Sequence, residues 1–217
     1  MKKRIQSYIV FTSFVYRIVI YLAAPIILIG IALWTGRMAR GAGMIIAAVL
    51  LSAVEVVSDQ WLFGGIQTKD VEKLDYLKTS GRGMKVMKSA LSLDLVRKFL
   101  SAALIMSICC LAELAAADGK AYGWYFQILF YSVAVSWFFS VLGTFISRFG
   151  SMLWFSVLLA YGMIILESIC WGVFSASVLK YGYGWIYVLA FMVLGILVSM
   201  LAVKIAMNNV EGSYYDK

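Results

Sequence analysis

The chain contains no histidine. That absence excludes histidine-dependent phosphatases, HExxH proteases, haem ligation and most zinc chemistry. A Walker A loop is missing as well. Gly119-Lys120 lacks the upstream glycine and the following Ser or Thr, and Ser80-Gly81-Arg82-Gly83-Met84-Lys85 has the wrong spacing. Neither can cradle phosphates as a P-loop does, so the chain alone does not hydrolyse ATP. No aspartate pair stands at the spacing of lipid-headgroup transferases. Neither a catalytic residue nor a metal set is expected, and a membrane-embedded enzyme is disfavoured. Proline occurs once, at Pro25, where it deletes one backbone hydrogen bond of a helix. The three cysteines, Cys109, Cys110 and Cys170, form no CxxC pair and read as reduced, buried thiols.

Charge is scarce too. Charged residues make up 14% of the chain, hydrophobic ones 63%, and the mean hydropathy is +0.91. That composition lies outside the range of soluble domains. A spanning helix needs about 20 mostly apolar residues. Six stretches come close: Ile18–Trp34, Gly43–Gln60, Phe99–Ala117, Trp124–Ser147, Met152–Val178 and Trp185–Met207. They are too long and too uniformly apolar for barrel strands, so the expected fold is all-α, a polytopic bundle of six transmembrane helices. Trp34, Trp61, Trp124, Trp185, Tyr122, Tyr125 and Tyr183 cluster at the ends of these stretches as an aromatic belt.

Fifteen of the nineteen basic residues fall on one side of the expected membrane. The positive-inside rule then puts both termini in the cytoplasm of a multi-pass cell-membrane protein. The net charge of +8 is mainly this topology signal. It gives some support to contact with anionic lipids and none to nucleic acid. Residues 1–17 read as a retained amphipathic interfacial helix or, equally, as a frayed leader merging into the first span, and residues 18–217 as the membrane domain.

Three carboxylates lie in apolar surroundings. Glu55 and Asp59, at i and i+4, share one helix face. They suit pairing with Arg17, Arg97 or Lys98 as well as a functional role. Glu167 lies well inside the fifth stretch and is the better functional candidate. Glu113 and Asp118 fall near the outer end of the third. Ser132, Ser136, Ser140 and Gly143 form one small-residue face, and Ser168, Gly172 and Ala176 another. Such faces favour close helix packing, with a polar substrate route as the sharper alternative.

Residues 61–98 form by far the longest polar connection. In Lys69–Ser80, KDVEKLDYLKTS, half the residues are charged, and Val71, Leu74 and Leu77 recur at helical spacing. This predicts a short amphipathic helix over 70–79. Ser80-Gly81-Arg82-Gly83 then breaks it, and a second, basic helix follows with Met84, Met87 and Leu91 on one side. An apolar stripe on a protruding helix suits a groove on a partner protein.

The order of interfacial helix, two spans, helix–break–basic helix (KDVEKLDYLKTSGRGMKVMKSALSLDLVRKFL) and four more spans resembles the permease subunit of a type-2 ABC transporter, a mostly export-type class. The resemblance implies that the helix around Val71 to Thr79 is a coupling helix seated in a cleft of the ATPase. Leu74, Tyr76 and Leu77 would be its anchors, with Glu72, Lys73 and Asp75 tuning the docking. It also implies a dimer, homo- or heteromeric, with ATP and Mg bound by separate ATPase subunits and no cofactor held by this chain. Small re-entrant helices that family members carry before span six have little room between Gly172 and Trp185. The competing expectation is a secondary carrier or small-molecule-binding membrane component that uses Glu167.

Overall fold

The computed structural model describes residues 12, 14–36, 41–63, 83–116, 122–150, 152–182 and 184–215. They are almost entirely helical. Phe14–Ile18, a π-helical turn Val19–Ala23 and Ala24–Gly36 run on as one helix, α1. The others are α2 (Ala42–Phe63), α3 (Gly83–Ala116), α4 (Tyr122–Ser147), α5 (Leu153–Tyr181) and α6 (Trp185–Tyr215). Six helices are long and apolar enough to cross a membrane.

The π turn sits where Pro25 requires a change in the ladder. A proline ring clashes with the carbonyl four residues back and offers no N–H. The turn before it widens, and the Ala24 N–H reaches Val19 O, five residues away. The irregularity in α1 thus has a definite cause. Its start at Phe14 takes the helix back past Arg17, whose guanidinium donates to Thr12 Oγ1 (3.0 Å) and Thr12 O (2.9 Å). The expected interfacial helix lies mostly in residues 1–11, outside the described residues.

α3 differs most from expectation. Residues 84–98 are not a separate basic helix leading up to a span. They are the first half of one unbroken 34-residue helix, and Gly83 opens it. The reason is packing. Met87, Ala90, Leu91 and Leu95 put a buried stripe against the bundle, and Asp94 and Lys98 are buried with it. At 1.5 Å per residue α3 is about 51 Å long, well over the roughly 30 Å of a hydrocarbon core.

α2 and α4 form the centre. Of their most apolar windows 61% and 72% is buried, against 22% for α1 and 17% for α6. α2 packs on α1, α3, α4 and α5, and α4 packs on α3, α5 and α6 as well. The Ser132, Ser136, Ser140 and Gly143 face lies buried in this central region. A Cβ on Gly143 would fall 2.3 Å from Val56 Cγ2, so the two helices approach closely there. Helix packing therefore accounts for that face. The Ser168, Gly172 and Ala176 face points outward from α5.

An aromatic group closes the interior between α4, α5 and α6. Tyr131 stacks on Phe174 at 3.8 Å and meets Trp171 edge-on at 4.6 Å, and its hydroxyl donates to Cys170 O at 3.0 Å. Tyr125, expected in the belt, is 1% exposed and belongs to the core, whereas Trp34, Trp61, Trp124 and Trp185 are exposed at helix ends. All three cysteines are free thiols.

Candidate functional site: a buried ionic cluster and two buried glutamates

Glu55 and Asp59 sit on the last turns of α2, and Asp94, Arg97 and Lys98 on one face of α3 at i, i+3 and i+4. Arg148 lies just past α4, and its N–H still bonds Thr144 O as if the helix continued. These six side chains meet. Arg97 grips Glu55 with two parallel bonds of 2.7 and 2.6 Å and reaches Asp94 Oδ1 at 3.0 Å. Lys98 Nζ donates to Asp59 at 3.1 Å and pairs with Asp94 at 2.8 Å. Arg148 donates to both Asp59 oxygens at 2.8 Å and to Asp94 Oδ2 at 3.2 Å. Asp94 touches all three cations.

Except for the Arg97 side chain, at 10%, each group is at most 2% exposed. Isolated charges at such depth are strongly disfavoured, and only mutual pairing with good geometry makes them tolerable. Burial pulls Arg148 toward losing its proton. The Asp59 and Asp94 carboxylates pull harder the other way, so its pKa lies above the ordinary arginine value. The Tyr16 ring lies 5.9 Å below the Arg97 guanidinium and ties α1 to the same group.

Glu55 and Asp59 are thus structurally paired, with Arg97 and Lys98 respectively. Arg17 is not their partner; it turns to Thr12. Sequence reasoning missed Asp94 and Arg148 as members. The i, i+3, i+4 spacing of Asp94, Arg97 and Lys98 carried a signal for the first. For Arg148 the signal was only that it is a lone charge in an apolar region.

Glu167 lies at the other kind of site, in the interior of α5 and fully buried. The Ser52 hydroxyl of α2 is 2.5 Å from Glu167 Oε2 and 2.9 Å from Val49 O. Ser52 thus shares its one hydrogen between the Val49 carbonyl of its own helix and the Glu167 carboxyl. Among the described residues Glu167 Oε1 has no hydrogen-bond partner, and neither has Trp171 Nε1, four residues on, or Ser136 Oγ of α4.

Comparison with protein-family models, with curated proteins and with solved structures finds no match.

Glu113 on α3 has a structural task. It accepts from the Gly41 N–H at 2.7 Å and the Met44 N–H at 3.0 Å, and so caps the start of α2. Gly41 adopts φ +80°, which favours glycine, and a Cβ on Gly43 would meet Ala32 O at 2.3 Å. α1, α2 and α3 are thereby drawn together at the end opposite the ionic cluster.

Val71, Glu72, Lys73, Leu74, Asp75, Tyr76 and Leu77 lie outside the described residues. Among the described residues no group of three or more Asp, Glu, Cys or His side chains could hold a metal ion.

Proposed function

We propose that the chain is the membrane-spanning permease subunit of an ATP-driven exporter of the type-2 ABC class, paired with a second permease subunit and with separate ATPase subunits that bind ATP and Mg. The observation that carries this reading is the ionic cluster. α2 leads into residues 64–82 and α3 leads out of them, and Glu55–Arg97 and Asp59–Lys98 lock these two helices together. Arg148 adds the end of α4 to the same unit. A push delivered to the connecting segment therefore moves three helices at once, two of them flanking that segment and two of them central to the bundle. The two termini and this segment face the cytoplasm in the proposed orientation.

The packed interior supports a two-subunit pathway. The cavity between the core helices α2, α4 and α5, beside Trp171 and Phe174, measures about 100 Å³, and the larger hollows, of about 450, 540 and 1100 Å³, are more open grooves. Room for a substrate then comes from between subunits or from bundle motion, which ATP-driven closure of the partners would supply.

The test is a Leu74→Ala/Leu77→Ala variant, purified gently from its own host. The wild-type chain is expected to bring down a P-loop ATPase whose turnover responds to transported substrate. The variant is expected to melt like the wild type, to lose the ATPase and to lose transport. Unchanged docking and transport would refute the reading.

Glu167 and its unpartnered oxygen favour a second reading, a proton-coupled carrier. The neutral isostere separates the two. Glu167→Gln is expected to keep the fold stability within about 1 kcal/mol, because the amide still reaches Ser52. Glu167→Ala loses about 2 kcal/mol or more through the cavity and the orphaned hydroxyl. If transport in vesicles free of any ATPase is intact in the wild type and abolished by Glu167→Gln, the carrier reading replaces the permease.

A further inference from the structure

The first half of α3 and the last half of α6 line one side each of a groove, with Trp137 of α4 between them. The groove is open and measures about 1100 Å³. This is at the upper end of ligand-site sizes, about 300–1,000 Å³. One end carries Lys85 and Lys88 of α3 and Lys204 of α6; the other is formed by Phe99, Trp137 and Met192. Among the described residues no carboxylate lines it. All three lysines are exposed, and none has an ion-pair partner among the described residues.

Its length is close to that of an acyl chain. Lys88 and Phe99 are eleven residues apart on α3, about 16 Å at 1.5 Å per residue. Met192 and Lys204 are twelve apart on α6, about 18 Å. Half of a hydrocarbon core is about 15 Å. An apolar trough of that length, with three cations at one end that have no ion-pair partner among the described residues, fits a molecule with an apolar tail and a negative head.

We propose that this groove binds an anionic glycerophospholipid, its phosphate held by Lys85, Lys88 and Lys204 and its acyl chain lying along α3 and α6. Charge decides among the occupants. A second copy docking here about a two-fold axis would set the same lysines against each other, which is repulsive. A zwitterionic lipid leaves the positive cluster without a net counter-charge. Basic pockets between spanning helices select acidic headgroups for this reason. The proposal rests on the membrane-spanning reading of the helices and is independent of what the chain transports.

The experiment uses the full chain, stripped of lipid in a mild detergent. Dioleoyl phosphatidylglycerol, dioleoyl phosphatidylcholine and inorganic phosphate are added separately. Bound lipid is read by native mass spectrometry and by the shift in melting temperature. Phosphatidylglycerol is expected to bind and stabilise, phosphatidylcholine to bind far more weakly, and inorganic phosphate to do neither. Each Lys→Gln change should weaken phosphatidylglycerol about fivefold, since a lysine near a membrane surface contributes about 1 kcal/mol. The triple variant should lose about a hundredfold. Ile196→Trp fills the apolar half with the lysines intact and should also weaken binding. Equal affinity for the two lipids, full binding by the triple variant, or stabilisation by phosphate alone would each overturn the proposal. So would a disulfide between two copies formed through Val96→Cys in the membrane, because the groove would then be a subunit interface.

Discussion

Arg148→Ala is expected to lower stability by about 3–5 kcal/mol, the range for removing one partner of a buried ion pair. The loss is that large because of what is left behind. Among the described residues Asp59 keeps only Lys98, and Asp94 keeps Arg97 and Lys98, so three carboxylates, each at most 2% exposed, face two cations. A domain has about 5–15 kcal/mol in all, so this one change removes a large fraction. Thermal melting in detergent measures it. Arg148→Lys retains the charge but not the paired bonds to both Asp59 oxygens, and should lie in between. Combining Arg148→Gln with Asp59→Asn should recover much of the loss, because two neutral groups of similar shape replace an unpaired charge. An Arg148→Ala chain that melts like the wild type would show that the cluster does not hold these helices.

Gly43→Ala is the second large effect, from the addition of one methyl group. That carbon would lie 2.3 Å from Ala32 O, 3.0 Å from Ala32 C and 2.5 Å from Glu113 Oε1. Two of these three are backbone atoms of α1, which cannot rotate away. α1 must move off α2, and Glu113 must leave the N–H groups of Gly41 and Met44. Overpacking contributes about 1–3 kcal/mol and loss of the cap about 1 more. Gly30→Ala and Gly162→Ala are the controls. Both helical positions have nothing within 4 Å of the added carbon, and alanine is the better helix former. They should be neutral or slightly stabilising. If Gly43→Ala melts with the controls, the close α1–α2 approach is not maintained in the membrane.

How far the sequence predicts the structure varies from helix to helix. The six apolar stretches announce the six helices because a span's length and hydrophobicity are set by the bilayer, whatever its neighbours. α3 shows where that signal stops. Lys85, Lys88, Asp94, Arg97 and Lys98 make its first half read as polar connection, yet Met87, Ala90, Leu91 and Leu95 bury it in the bundle. Hydropathy averages over the circumference of a helix and does not see that one face is covered. Local spacing shows that Glu55 and Asp59 share a helix face, and a shared boundary offers Arg17, Arg97 and Lys98 as partners, of which the structure uses the last two. Arg148's part in the pairing was not legible, since residues 89 positions apart meet only through tertiary packing. Tyr125 and Glu113 teach the same lesson from the other side: position near a span end suggests the interface, but neighbouring helices decide burial.

The ionic cluster also bears on how the bundle responds to membrane voltage. Glu55, Asp59 and Asp94 balance Arg97, Lys98 and Arg148, so the group carries no net charge. Moving one elementary charge through the membrane field is worth about 2.3 kcal/mol per 100 mV. Moving this group as a unit is worth essentially nothing, because each gain on a cation is cancelled on a carboxylate. When three helix ends shift together, the cluster itself therefore adds no net charge to the movement, and any pull of the electrical potential acts on the charges outside it, such as Lys85 and Lys88 of α3.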